Sequence, residues 1–505
     1  MLFHRLDYQV FLALAVVGYW SLRRLELERD PAGRGTTGDG PYRERAAPRG
    51  VPSAWLTAPR FAFVVLASCV FYSAWEVRYL GLILFSTALD YSVGRGLGAT
   101  RSPRLRRMLL GVSLAGNLGL LGLFKYFNFF GEATADVLAV FGVDVDPPVL
   151  DVLLPVGISF YTFQTLSYTI DVYRGRLEPT RNPLKFAFYV TFFPQLVAGP
   201  VVRAAEFLPQ LDRPPWLSRS RVSDGLFLIA MGLVKKVIFA DFISVNLVDR
   251  VFDDPSAFTA VEVVIALYGF TLQIYADFSG YTDVARGSGL LFGIELPENF
   301  DRPYQARSVA EFWRRWHMTL STWLRDYLYF PLGGSRGGTA RTYFNLWLTI
   351  FLIGLWHGAS WTFVVYGNLQ AFAVMSNRAL VRWRRRNGWG GTDPAWVNVL
   401  KVLLTLQFVV FSRILFRATD LDNAYAVTAQ LFTGTVSTAQ VSLDVWRVLV
   451  LGFFLHYVPR SQVSLLRRAF VDMPAWAQGL VLALIGATLT LFSTQAVVPY
   501  IYFQF

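Results

Sequence analysis

The chain has 505 residues, 54% hydrophobic and 16% aromatic, with a formal net charge of +12 and a mean hydropathy of +0.40. Charged residues make up 16%, against about a quarter in an average soluble chain, and apolar runs recur from end to end, which argues against one large soluble core and predicts an all-α, polytopic membrane protein. The arginines sit in short segments between apolar runs, so the basic balance reads as membrane topology and not as a nucleic-acid surface, and no base-stacking motif accompanies them.

In chain order, the run 8–20 (YQVFLALAVVGYW) is followed by charge instead of a small-residue cleavage site, and it reads as a retained span with its basic flank inside. The stretch 28–60, rich in Gly, Pro, Arg and acidic residues, is too polar to cross a bilayer and reads as a cytoplasmic linker. The division that follows is a span and flank at 1–27, the linker at 28–60 and one membrane domain at 61–505.

Span-like runs follow at 61–75, 77–94, 108–130, 150–171, 184–202, 224–250, 259–293, 342–376, 397–416, 443–458 and 476–498, judged against the roughly 20 residues that a spanning helix needs. Runs that overshoot, 259–293 above all, predict a break or a re-entrant segment. Pro155 with Gly157, and Pro194 with Gly199 and Pro200, mark further breaks. Arg clusters at 101–107, 378–386 and 467–468 are expected to face the cytoplasm. Cys69 is the only cysteine and lies in an apolar run, so neither an intramolecular disulfide nor a thiolate metal site is available.

A charge at the centre of a membrane helix costs on the order of 3 kcal/mol and needs a partner or a function. Lys235 and Lys236, Asp277 and Arg413 meet that description. The lysines read as snorkelling or as pairing with Asp241, or else as functional, and Asp277 is open between a buried hydrogen-bonding role and a functional one.

Two internal histidines, His317 and His357, are the sharpest features. His317 lies in EFWRRWHMTLSTWLRDYLYFPLGG, where a helix would place it on one face with Trp313, four residues before, and turn Arg314 and Arg315 elsewhere. On its own this segment reads as an amphipathic interfacial helix with a satisfied His. His357 lies in an apolar run, NLWLTIFLIGLWHGASWTFVVYG, beside Gly354, Gly358 and Ala359, small residues that permit close approach of backbone or substrate, and it reads as functional. Two His forty residues apart with no carboxylate at metal spacing make a poor zinc site. The string at 333–337 matches a nucleophile elbow only formally, since it lies in a Gly/Arg loop after Pro331. No P-loop supports ATP-driven transport.

The stretch ENFDRPYQARSVAEFWRRWHMTLSTWLRDYLYFPLGG (298–334) and the string GLWHGASW resemble the membrane-bound O-acyltransferase family, specifically its bacterial branch that O-acetylates exopolysaccharides such as alginate. PVGISFYTFQTLSYTIDVYRG, YVTFFPQLVAGPVVR, GLVKKVIFAD, DFSGYTDVARGSGLLFGIELPENFDRPY and YIYFQF extend the resemblance from about residue 60 onward. The resemblance implies a ring of membrane helices around a thin centre reached from both faces. It implies His357 as the catalytic His and His317 as a second site residue, with Trp313, Arg314, Arg315, Trp316, Asp277 and Trp356 as candidates for substrate contact.

The implied reaction moves an acetyl group from a cytoplasmic thioester, acetyl-CoA, to an extracellular polysaccharide, with no bound cofactor. His357 would be the general base on the acceptor hydroxyl, and His317 would orient the acceptor or polarise the thioester carbonyl. Arg302, Arg307, Arg314 and Arg315 would contact the donor's phosphates or else serve as ordinary cytoplasmic charge. Membrane lipid, a polysaccharide system and a secreted acetyltransferase of the serine-hydrolase type are the implied partners. The alternatives are D-alanyl transfer from a carrier protein towards teichoic acid and a non-catalytic transport or scaffold subunit.

Overall fold

The structure, a computed structural model, describes residues 5–29, 58–197, 199–389, 391–493 and 500–501, and among them every regular element is helical. Residues 30–57, most of the expected linker, and 502–505 lie outside the described residues. Helix α1 (Leu6–Arg29) packs through Tyr8, Leu12, Ala15 and Tyr19, a stripe at helical spacing. Then come α2 (Ala58–Glu76), α3 (Leu80–Ala99), α4 (Pro103–Leu121), a π-helical turn at Gly122–Tyr126 and α5 (Phe127–Val140).

After a largely non-helical stretch, α6 (Ile158–Tyr173), α7 (Pro183–Thr191), the short α8 (Phe193–Leu196) and α9 (Ala204–Asp212) follow. Helix α10 (Arg219–Val234) runs through π-helical turns at Lys235–Asp241 and Ser244–Val248 into α11 (Asp249–Asp253), ahead of α12 (Ala260–Leu291). The rest comprises α13 (Val309–Arg315), α14 (Met318–Leu324), α15 (Gly338–His357), α16 (Trp361–Arg386), α17 (Ala395–Arg417), α18 (Leu421–Gln430), α19 (Leu443–Tyr457), α20 (Arg460–Asp472) and α21 (Ala475–Phe492).

Among the described residues five helical stretches are long and apolar enough to cross a membrane, Ala58–Ala99, Pro103–Val140, Ala260–Leu291, Ala395–Arg417 and Ala475–Phe492. The chain is thus a multi-pass membrane protein. The breaks expected at Pro155/Gly157 and at Pro194–Pro200 are present: Gly157 takes φ +78° immediately before α6, and α7 stops at Thr191 ahead of the four-residue α8.

The run 259–293 departs from expectation. It forms one unbroken helix of 32 residues, α12, with Thr259 and Glu262 closing a capping box at its start. Its glycines serve packing and do not interrupt it. A Cβ on Gly280 would lie 2.7 Å from the Gly232 carbonyl oxygen, and one on Gly225 would lie 2.9 Å from that of Gly287. Two glycine pairs, seven residues apart on each helix, therefore let α10 and α12 meet backbone to backbone. The run 342–376 divides instead, into α15 and α16 at Gly358–Ser360.

The charges inside the apolar runs find partners. Lys236 Nζ lies 2.8 Å from Asp241 and 2.7 Å from Asp277, with the Tyr500 ring 4.4 Å away, and Asp277 Oδ2 also accepts the Ile501 N–H at 2.8 Å. Lys235 pairs with Asp283 at 2.5 Å. Arg413 lies over the Trp316 ring at 4.7 Å and the Phe416 ring at 5.2 Å. Asp90 on α3 accepts from Ser113, from Asn117 at 2.7 Å and from Thr169 at 2.7 Å, which ties α3, α4 and α6 together. The lysine and Asp90 networks give groups that lipid would leave unsatisfied partners on other helices.

Candidate active site

Three breaks in the helical backbone converge on the two histidines. The first lies between α13 and α14. Helix α13 ends at Arg315, Trp316 is extended, and His317 adopts φ +43°, ψ +56°. Only Arg302 shares a positive φ among the described non-glycine residues. A left-handed non-glycine residue costs roughly 1–2 kcal/mol. The geometry is held by the neighbouring strand of backbone: Asp301 N–H donates to the Arg315 carbonyl at 2.9 Å and Met318 N–H to the Asn299 carbonyl at 2.9 Å.

This turn corrects the expectation that Trp313 and His317 share a helix face. The Trp313 indole instead donates to Gln370 on α16 at 3.2 Å. His317 Nδ1 lies 3.1 Å from Asn299 Oδ1, the same oxygen that accepts the Thr319 N–H at 3.2 Å and the Thr319 hydroxyl at 2.9 Å. A backbone N–H only donates, so Oδ1 is the acceptor, Nδ1 carries the proton, and Nε2 is the acceptor nitrogen of the neutral ring.

The second break is the end of α15. Its approach to α16 is backbone on backbone: a Cβ on Gly354 would lie 2.5 Å from Gly367 Cα, and one on Gly358 would lie 2.1 Å from the Phe363 ring. The small residues around His357 therefore serve close helix packing. His357 is 1% and His317 0% exposed, and both rings meet the Trp356 indole, at centroid distances of 5.1 Å and 5.5 Å. Phe416 lies 5.1 Å from His357 and Phe278 4.7 Å from His317, so aromatic walls surround both imidazoles.

The third break, Leu154–Gly157, and the first residues of α6, Ile158–Phe160, line a small cleft together with Lys125, Trp356 and His357. Non-helical backbone at membrane depth survives where it lines a cavity. The residues that line the cleft lie at the helix ends opposite those that carry the arginines. From Pro103 to Lys125, and from Gly338 to His357, the chain advances about 30 Å at helical rise, close to the thickness of a hydrocarbon core. The starting ends of these helices carry Arg104, Arg106, Arg107 and Arg341, and α16 returns to the same end at Arg384, Arg385 and Arg386. Helix α6 agrees, running from the cleft at Ile158 to Tyr173, whose carbonyl accepts from Arg106 at 2.7 Å.

The remaining candidates divide between the two sides of this centre. Trp316 is buried under Arg413 and stacks on Phe312 at 5.6 Å. Arg315 pairs with Glu311 at 2.7 Å and reaches Asp301 at 3.7 Å, whereas Arg314 is exposed. Asp277 belongs to the Lys236 network. Ser335, from the formal elbow string, is held by Tyr329 at 2.9 Å and Arg378 at 3.2 Å. Among the described residues no group of three or more His, Cys, Asp or Glu is arranged to hold a metal ion. Sequence reasoning passed over Asn299 and Lys125. The signal for Lys125 was a lone cation in the apolar string LLGLFKYFNFF.

The centre thus sets two imidazoles against one indole, with His357 lining the cleft. Comparison with known proteins identifies the family. The profile of the membrane-bound O-acyltransferase family matches residues 177–416. The probable alginate O-acetylase AlgI of Pseudomonas putida is 37% identical over 473 residues, 88% of this chain and 94% of that protein. The peptidoglycan O-acetyltransferase of Helicobacter pylori is 36% identical over 391 residues, 72% of each chain. The teichoic acid D-alanyltransferase of Bacillus subtilis is 25% identical over 313 residues, 57% of this chain and 78% of that protein. The chain belongs to the membrane-bound O-acyltransferase family, and it is an O-acyltransferase related to polysaccharide O-acetylases.

Proposed function

We propose that this protein moves an acetyl group from cytoplasmic acetyl-CoA across a bacterial inner membrane for O-acetylation of an extracellular polysaccharide. One observation carries the reading: His357 lines a cleft at the helix ends opposite those that carry the arginine clusters, where an extracellular acceptor, or a secreted acetyltransferase of the serine-hydrolase type that relays the group, would enter. The 301–315 segment, with Arg302, Arg307, Arg314 and Arg315, would supply positive charge for the donor's phosphates. The helices would then form a ring around a thin centre holding both histidines.

In this reading His357 accepts the proton of the acceptor hydroxyl as its oxygen attacks the thioester carbonyl, a contribution of typically about 10²–10⁴-fold. The C–S bond then breaks, and the proton passes to the departing thiolate. His317, with Nδ1–H held by Asn299, offers Nε2 to orient the acceptor hydroxyl. The relatives that are 36–37% identical over most of the chain support a glycan acceptor over a D-alanyl reaction.

The test is the acetyl-ester content of extracellular glycan in wild type, a deletion strain, and the deletion complemented with His357→Ala at matched membrane abundance. Loss of ester that the variant fails to restore is the expected result. Full restoration by the variant would point to a conduit or scaffold, and an unchanged deletion strain would exclude a glycan acceptor.

A further inference from the structure

Helix α15 ends at His357 and passes into extended backbone, with Gly358 at φ −163°. The last carbonyls of an α-helix have no partner within the helix and take their donors from elsewhere. Here the donors come from more than 220 positions earlier in the chain. The Tyr126 hydroxyl donates to the Leu355 carbonyl at 3.0 Å, and Lys125 Nζ donates to the Trp356 carbonyl at 2.5 Å. Lys125 also lies 5.8 Å from the centroid of the Trp356 ring, and it is the only Lys or Arg among the residues lining the cleft.

Both donors lie in the π-helical turn Gly122–Tyr126, inside an otherwise α-helical span. Such single-turn π segments are rare and cluster at functional sites. Two adjacent side chains of this turn both reach the end of α15. A cation at a helix C-terminus also offsets the partial negative charge that accumulates there.

We propose that Lys125 and Tyr126 form a clamp that positions His357. The clamp holds the two peptide groups immediately before the base, so the imidazole's place in the cleft depends on it. Lys125 is a positioning residue that acts through His357, and the proposal rests on His357 being the base. Displacing a base by about 1 Å costs up to about 10²-fold in rate, and losing a donor from a buried carbonyl is a loss of comparable kind.

The test measures acetyl transfer in membrane vesicles from the deletion strain complemented with the full chain or its variants, with acetyl-CoA titrated. Lys125→Met is expected to lower turnover at least about tenfold while the KM for acetyl-CoA stays within about twofold. Lys125→Arg, which keeps a charged donor, should recover to within about threefold of wild type, and Tyr126→Phe should lose about threefold. Full turnover in Lys125→Met, a loss expressed only through KM, or no recovery by arginine would each overturn the clamp. Should Lys125→Met fail to accumulate, Tyr126→Phe decides, and unchanged turnover at matched abundance refutes the proposal. Full activity in a parallel His357→Ala variant would defeat the assignment of the base itself, whereas an inactive His357→Ala beside an active Lys125→Met would defeat the clamp alone.

Discussion

The α10–α12 pair and the histidine centre both place polar groups at membrane depth, and they do so in opposite ways. In the pair, no non-helical segment interrupts α12 or the course of α10 into the π-helical turn that carries both lysines, glycines bring the helices into contact, and each lysine meets a carboxylate: Lys236 with Asp241 and Asp277, and Lys235 with Asp283. At the centre the helices are interrupted three times, a non-glycine residue is held at positive φ, and the imidazoles are enclosed by aromatic rings beside a cleft. The first arrangement holds the fold together. The second gives up helical regularity around two buried imidazoles, one of which lines a cleft.

Three variants bear on that contrast. Lys236→Met should have the largest effect on stability: breaking a buried ion pair from one side costs about 3–5 kcal/mol, because the remaining charges are left unpartnered. A lower thermal midpoint and lower membrane abundance are expected, whereas His357→Ala should leave both unchanged while abolishing transfer. If Lys236→Met proved as stable as wild type yet inactive, the two regions would not differ as described.

Gly280→Ala comes next. The added methyl group would meet the Gly232 carbonyl at 2.7 Å, and overpacking of this kind costs about 1–3 kcal/mol. Thermal unfolding in detergent would register the change, and an unaltered midpoint would mean that the helices separate without penalty.

The smallest effect concerns acid. Burial pushes the Asp326 carboxyl up, but hydrogen bonds from Arg325 and Arg203 outweigh it and hold the group below its ordinary value. With the folded pKa lower than the unfolded one, its contribution is fully present above the ordinary carboxylate range and is lost as pH falls through and below it. Asp326→Asn should therefore be less stable than wild type at pH 7, and the difference should narrow towards pH 3. A gap that widens in acid would contradict the assignment.

What could be read from the sequence depended on whether a feature was local. The Pro155/Gly157 break and the pairing of Lys236 with Asp241 both follow from residues within a few positions of one another. The unbroken α12 was not legible, because length was judged against the bilayer. A helix buried along most of its course by other helices is not limited in that way, and its glycines are explained only by α10. The left-handed turn at His317 carries no Gly or Pro to announce it, since the hydrogen bonds that impose it come from Asn299 and Asp301 on a separate segment. Lys125 was passed over for the same reason, because its partner carbonyl is 231 positions away.

The contact between Asp277 and Ile501 also bears on the order of assembly. The two residues are 224 positions apart, and at typical rates of chain elongation about 10–45 s separate their synthesis. Lys236, Asp241 and Asp277 are inserted early and are able to pair at once, but one oxygen of Asp277 waits for a backbone N–H that has not yet been made. The membrane core is therefore completed late, and a chain interrupted before residue 500 would have its early helices in place while lacking the contact that joins them to the end of the described fold.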